Sequence, residues 1–159
     1  MNHFRVPDQT IHVNTSYHRL PGGTTSDCRI AMGTPLVREN GRLTRVAVTS
    51  ATIPLASYVA PGNANINGPR EIHIRSPNFN TNVYETRVQA DSTILAIIPV
   101  TGPPFSNLTY ASALPTIYGV LGATVGQLAI TITDENGDIL DLNDAPVTIQ
   151  LSVYYEPQA

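Results

Sequence analysis

"GQLAITITDENGDILDLNDAPVTIQLSVYY", Gly126 to Tyr155, is the stretch on which the fold turns. Near its start Leu128, Ile130 and Ile132 alternate with Ala129, Thr131 and Thr133. Near its end Val147, Ile149, Leu151 and Val153 alternate with Thr148, Gln150, Ser152 and Tyr154. Successive side chains of a strand point to opposite faces, so this period of two predicts two strands, each with one face in a core. Between them Asp134, Glu135, Asp138, Asp141 and Asp144 crowd around Asn136-Gly137. As a calcium loop the segment has Asp134, Asn136 and Asp138 at alternate positions. An EF-hand, however, requires Gly at its sixth position and a bidentate Glu at its twelfth, and here Gly137 is fourth and Ala145 twelfth. As an acid–base site it needs two carboxylates facing each other across a cleft at roughly 5 to 9 Å, one with its pKa raised by an apolar setting. These acids lie instead in one local polar bend. As a hairpin, Asn136-Gly137 supplies the two positive-φ residues of a type I′ turn and the flanking acids keep the tip soluble. The hairpin is the expectation, with "DILDLND" returning as a short strand that packs Ile139 or Leu140, and Leu142, inward.

The same pattern of short runs and turn signals extends upstream. "DCRIAM" (27–32), "RLTRVAVTSATIP" (42–54), "REIHIRS" (70–76), "NVYETRV" (82–88) and "STILAIIPV" (92–100) read as strands. In the third of these runs the reading is directional: Ile72 and Ile74 face a core, while Glu71, His73 and Arg75 face outward. The nearly continuous apolar run 94–98 suits a strand covered on both faces. "TGPPFSNLTYASALPT" (101–116) reads as a long loop. Residues 1–25 are polar, with Pro7, Pro21, Gly22 and Gly23, and read as an extended N-terminal arm that orders against a neighbour. The expected organisation is this arm and one domain, 26–159. About eight short strands with long crossing loops and no helical period predict an all-β, two-sheet sandwich of the single jelly-roll type.

Composition limits the function. Apolar residues make up 42% and charged residues only 13%, against roughly 25% charged in ordinary soluble domains. Much of the surface is therefore neutral, which suits contact with other protein. The net charge of −3 comes from nine Arg, no Lys and twelve carboxylates, and no basic residue follows Arg87. A grip on phosphate backbones needs clustered cations, so direct nucleic-acid binding is not expected. The lone cysteine, Cys28, allows no intrachain disulfide and reads as a small core residue. A thiol nucleophile needs nearby cations, and Arg29, adjacent on a strand, points to the opposite face. The N-terminal residues lack the apolar stretch of a signal peptide and no run has the length of a membrane span, so export by the usual route is not expected. The triplets at Asn14 and Asn107 that match a glycosylation acceptor carry little weight for that reason.

No catalytic constellation emerges. His3, His12 and His18 fall in the arm at spacings that make no metal pair, and His73 reads as a surface residue. Ser50 has no nearby base, and there is no G-x-S-x-G, G-x-G-x-x-G or P-loop. The expectation is a non-enzyme with no cofactor, no metal and no small-molecule ligand. A jelly-roll binding module for carbohydrate or a host receptor is the alternative, with Phe105, Tyr110 and Tyr118 as stacking candidates.

Three blocks carry a resemblance. "VAVTSATIPLASY" (46–58), "ILAIIPV" (94–100) and "ITITDENGDILDLNDAPVTIQLSVYY" (130–155) resemble, in that order, single jelly-roll capsid proteins of tailless icosahedral DNA viruses. Pentons and minor capsid or cement proteins of large eukaryotic DNA viruses and virophages are the nearest group. In that pattern an early strand ends in an "IP…Y" bend, and an "I-x-D-x-x-G-x-x-L-D-L-N" hairpin leads into the last core strand; Asp144 stands where the pattern has Gly. The resemblance implies a structural virion protein, a homopentamer at the capsid vertex that contacts neighbouring capsid proteins. It implies synthesis in the host cell and residence in the virion.

Overall fold

A computed structural model describes residues 6–18, 25–36, 42–55, 70–101, 106–112, 115–121, 125–140, 142 and 145–157. Its strands are β1 (Gln9–Asn14), β2 (Asp27–Leu36), β3 (Arg42–Pro54), β4 (Glu71–Arg75), β5 (Phe79–Thr81), β6 (Tyr84–Glu85), β7 (Ala90–Asp91), β8 (Ile94–Pro99), β9 (Asn107–Ala111), β10 (Gly119–Leu121), β11 (Val125–Asp134) and β12 (Thr148–Pro157). A single 3-10 turn, Thr15–Tyr17, follows β1.

The strands form two antiparallel sheets and one small hairpin. The first sheet runs β1-β12-β3-β10-β5, with β9 on β3 beyond β10; the second runs β2-β11-β4-β8; β6 and β7 pair with each other. The chain passes from β1 in the first sheet to β2 in the second, then back to β3 and over to β4. From β4 it crosses to β5 on the first sheet, passes through β6 and β7 and comes back to β8 beside β4; it then returns to β9 and β10, crosses to β11 and ends in β12. The fold is all-β, with two sheets sharing one apolar core, as in a β-sandwich.

The core follows from the two-residue alternation. Val46, Val48 and Ile53 of β3 and Ile149, Leu151 and Val153 of β12 meet Ile72, Ile74, Leu128, Ile130 and Ile132 of the second sheet in one cluster. Each such side chain, fully removed from water, stabilises by roughly 1.5–3 kcal/mol. The central pairing, β12 on β3, spans Thr148↔Thr52 to Pro157↔Arg42, with a bulge where Val48 and Ser50 face Leu151 and Gln150. Thr49 is the extra residue, and this is why the inward set of β3 changes from Val46 and Val48 to Ala51 and Ile53.

Several expectations need correcting. Residues 9–14 do not wait for a neighbour: they form β1, an edge strand on β12. Ile11 and Val13 supply its inward face, and Thr15 closes it by donating from its N–H to Val147 O (2.9 Å) while its Oγ1 accepts from Val147 N (3.0 Å). Met1–Arg5 and residues 19–24 lie outside the described residues. The 101–116 loop contains β9, which pairs with the end of β3 from Ser50↔Ala111 to Pro54↔Asn107. The strand expected over 82–88 is interrupted instead. Only Tyr84 and Glu85 pair, with Asp91 and Ala90, and Gln89 reverses the chain with φ at 55°. Among its described residues "DILDLND" contributes a bridge, Ile139 to Thr133, in place of a strand; Leu140 and Leu142 pack inward as expected, while Ile139 is 52% exposed.

Candidate functional site: two outer faces and the turn between them

The outer face of the first sheet is short-chained and nearly uncharged. It presents Thr10 and His12 from β1, Gln150, Ser152 and Tyr154 from β12, and Ala47, Ser50 and Thr52 from β3. Its hydroxyls and amides serve one another: Ser50 Oγ bonds Gln150 Oε1 at 3.0 Å, and Ser152 Oγ bonds Thr49 Oγ1 at 3.3 Å. Arg45 of β3 adds a charge to this face, and its guanidinium lies over the Tyr118 ring at 4.8 Å. A face of this kind meets another protein without stripping water from several ions.

The second sheet's outer face is the reverse. Asp27 and Arg29 of β2 pair at 2.6 Å, half-exposed. On β4, His73 Nε2 lies 3.1 Å from Glu71 Oε1, and its Nδ1 lies 3.4 Å from Arg75 Nη2. An arginine only donates, so Nδ1 accepts and the ring proton sits on Nε2, directed at Glu71. Arg75 also donates from Nε to Thr133 Oγ1 (3.0 Å) and grips Glu85 through both terminal nitrogens, at 3.0 and 2.8 Å. Both partners of that ion pair are only 11% exposed.

The cover over this row is the 76–93 insertion. After β5 the chain folds back along the sheet as the β6–β7 hairpin, placing Glu85 on Arg75 and the Arg87 guanidinium beside Gly137. His73 is therefore 5% exposed, not a surface residue. It does point away from the core, but the hairpin roofs it. The paired hydrogen bonds from Arg75 hold the Glu85 carboxyl down from 4.5 to about 2, with help from Ser92 and the charges of Arg75 and Arg87 against the opposing effect of burial. The alternation Glu71, His73, Arg75 marks one face in the sequence; its roofing by a segment ten residues on is not visible there.

The acidic bend is a turn of another type from the one expected. Gly137 N donates to Asp134 O at 3.2 Å and Asp134 N to Asp138 O at 2.9 Å. Gly137 has φ at 87°, and Asn136 is not among the positive-φ residues. This is a three-residue hairpin loop, a type I turn closed by a left-handed glycine bulge, so Asn-Gly occupies the second central and bulge positions. Asp134 Oδ1 accepts from Asn136 N (2.8 Å) and Asp138 N (3.0 Å), and Glu135 accepts from Arg70 N (3.2 Å). Both carboxylates thus serve backbone donors. Gly137→Ala should lower stability by about 1–2 kcal/mol, from the left-handed backbone, and Gly137→Asn by about half that. The Arg87 tip, at 2.7 Å from an added Cβ, can move aside. Urea unfolding of both variants measures the difference, and equal losses would contradict the left-handed assignment.

The remaining sequence candidates do not converge. Cys28 is fully buried, and burial, aided by the Asp27 charge, pushes its thiol up to about 11, far from a nucleophile's range. Ser50 is occupied by Gln150. His12 is exposed on β1, and His18 sits edge-on to Tyr17 at 6.5 Å between ring centres. Tyr110 packs against the core. His3, Phe105, Asp141 and Asp144 lie outside the described residues. Among the described residues no three of His, Cys, Asp and Glu come together to hold a metal ion, and no helix is long and apolar enough to cross a membrane. No protein-family model matches the chain, and neither does any curated protein.

Proposed function

We propose that the chain is a structural virion protein: a single jelly-roll capsid subunit that assembles as a homopentamer at the capsid vertex. The observation that carries this reading is the strand order. β1-β12-β3-β10 against β2-β11-β4-β8, with the chain passing between the sheets as described, is the order expected of one eight-stranded jelly roll with β9 and β10 as two parts of one strand. Each of the three blocks of sequence resemblance contains a strand of the two sheets, β3 in the first, β8 in the second, and β11 and β12 in the third, which supports the reading.

The surface chemistry supports the same reading. A shell subunit buries its flanks against copies of itself, and the first sheet's outer face has little charge to desolvate. With no lysine and its nine arginines scattered from Arg5 to Arg87, the subunit is kept from the genome by a membrane or another protein layer, and its partners are neighbouring capsid proteins. In this role the protein is a building block made in the host cell and carried in the virion, with no cofactor. The sugar-binding alternative loses support, because Tyr110 is engaged with the core and Tyr118 with Arg45.

Light scattering on the purified chain after size exclusion tests the proposal. The expected mass is five times the 17.1 kDa of one chain, and negative-stain images should show five-fold rings. A single-chain mass persisting at high micromolar concentration would remove the ring from the proposal.

A further inference from the structure

We propose that β1 is a docking edge for β1 of a second copy, antiparallel about a two-fold axis near His12, so that the first sheet continues from one molecule into the next. This goes beyond the shell reading and does not depend on it.

The backbone directions locate the free groups. Thr15 N bonds Val147 O at 2.9 Å, and the β1–β12 register runs without a shift from Asn14↔Thr148 to Gln9↔Val153. By the alternation of an antiparallel ladder, Ile11 and Val13 then turn their N–H and C=O groups toward β12, whereas Thr10, His12 and Asn14 turn theirs outward. Among the described residues nothing pairs with those outward backbone groups. An unpaired row of this kind is a template for another strand, and folded proteins ordinarily blunt it with charge, proline, a bulge or a short length.

The other edges are blunted and β1 is not. β2 carries the Asp27–Arg29 pair, Gly33, Pro35 and a register shift. β8 has a shift opposite Ile74 and Arg75 and ends in Pro99. β5 is three residues long, and β9, five residues long, ends at Ala111. β1, "QTIHVN", has no charged residue, no proline and no glycine. It is also complementary to itself. With the axis at His12, each Thr10 faces Asn14 of the second copy, His12 faces His12, and no pair of permanent like charges is brought together. The charge-poor outer faces of the two sheets then form one surface.

The test uses the full chain and two edge variants. His12→Pro removes one outward N–H and leaves the bonds to β12 intact, because proline is tolerated where the N–H faces solvent. Thr10→Lys places a charge on the edge without touching the core. Sedimentation velocity from low to high micromolar concentration should show the wild-type mass doubling relative to its base unit, while both variants keep the base unit and the wild-type thermal midpoint. Amide hydrogen exchange at Thr10 and His12 in the wild type should slow about tenfold over the same range as the edge becomes paired. Concentration-independent exchange at those two amides, or doubling by His12→Pro as readily as by wild type, overturns the proposal. The base unit of the variants, one chain or five, reports on the vertex ring separately, so failure of either idea is read without the other.

Discussion

Gly119→Ala is expected to destabilise the fold by about 3 kcal/mol, at the upper end of over-packing costs. A Cβ added at Gly119 would lie 2.6 Å from Phe79 Cβ and 2.9 Å from Leu95 Cδ2. The first neighbour is the more serious, because Phe79 Cβ is fixed to the backbone of β5, which pairs with β10 through Leu121↔Phe79 and Gly119↔Thr81. Phe79 and Leu95 are both buried, so neither can swing into solvent. Relief requires β5 to part from β10, or the second sheet to move away at Leu95. For a chain of this size the loss corresponds to a thermal midpoint lower by about 6–12 °C. Gly126→Ala is the control. Its added Cβ meets nothing within 4 Å and its backbone is not left-handed, so the change should be neutral or raise stability by up to about 1 kcal/mol. Calorimetry of the two variants separates close packing from a general cost of replacing glycine in a strand. A Gly119→Ala midpoint within 2 °C of wild type, on the order of 0.5–1 kcal/mol, would mean that the two sheets are not held this closely at β10.

The features that could be read from sequence are those in which one residue's neighbours decide its face. Leu128, Ile130 and Ile132, and Val147 to Val153 at alternate positions, are buried as their period requires. In the 94–98 run Ile94, Leu95, Ala96 and Ile98 are buried and Ile97 is half-buried, with Leu95, Ala96 and Ile98 in the core cluster. β1 escapes this logic because Ile11 and Val13 are two apolar residues in a polar stretch. What makes them a strand is the free side of β12, about 140 residues later in the chain. β9 is hidden in the same way by the proline-rich loop around it. At the acidic bend the residues Asn136-Gly137 correctly mark a hairpin, but the turn type is set by Asp134, whose side chain caps two N–H groups and favours the longer loop. The buried row on the second sheet was least accessible of all. His73, Arg75 and Glu85 look like ordinary solvated charges until residues 76–93 fold back over them.

That roof leads to the second large effect. Arg75→Met should cost about 3 kcal/mol, because it takes both Arg75 donors from the nearly buried Glu85 carboxylate, leaving it Ser92, and removes the partner of His73 Nδ1. Glu85→Gln should cost less, about 2 kcal/mol, since the amide still accepts one bond from Arg75. Replacing both, Arg75→Met with Glu85→Leu, should recover most of the loss, as a nearly buried ion pair exchanged for apolar side chains of similar volume is often close to neutral. The pH dependence gives an independent check. The folded pKa of Glu85 is lowered to about 2 from 4.5, so the folded state binds the carboxylate's proton less readily than the unfolded chain. The resulting stability is present above the unfolded value and is lost as pH falls from about 4.5 to about 2. Its size, allowing for solvent at the rim of the hairpin, is on the order of 2 kcal/mol. Other carboxylates titrate in that window, so the quantity to compare is the difference in urea-unfolding free energy between wild type and double variant at each pH. That difference should be shifted in the double variant's favour by about 2 kcal/mol between neutral pH and pH 2. A difference that stays flat across the window would mean that Arg75 does not hold Glu85.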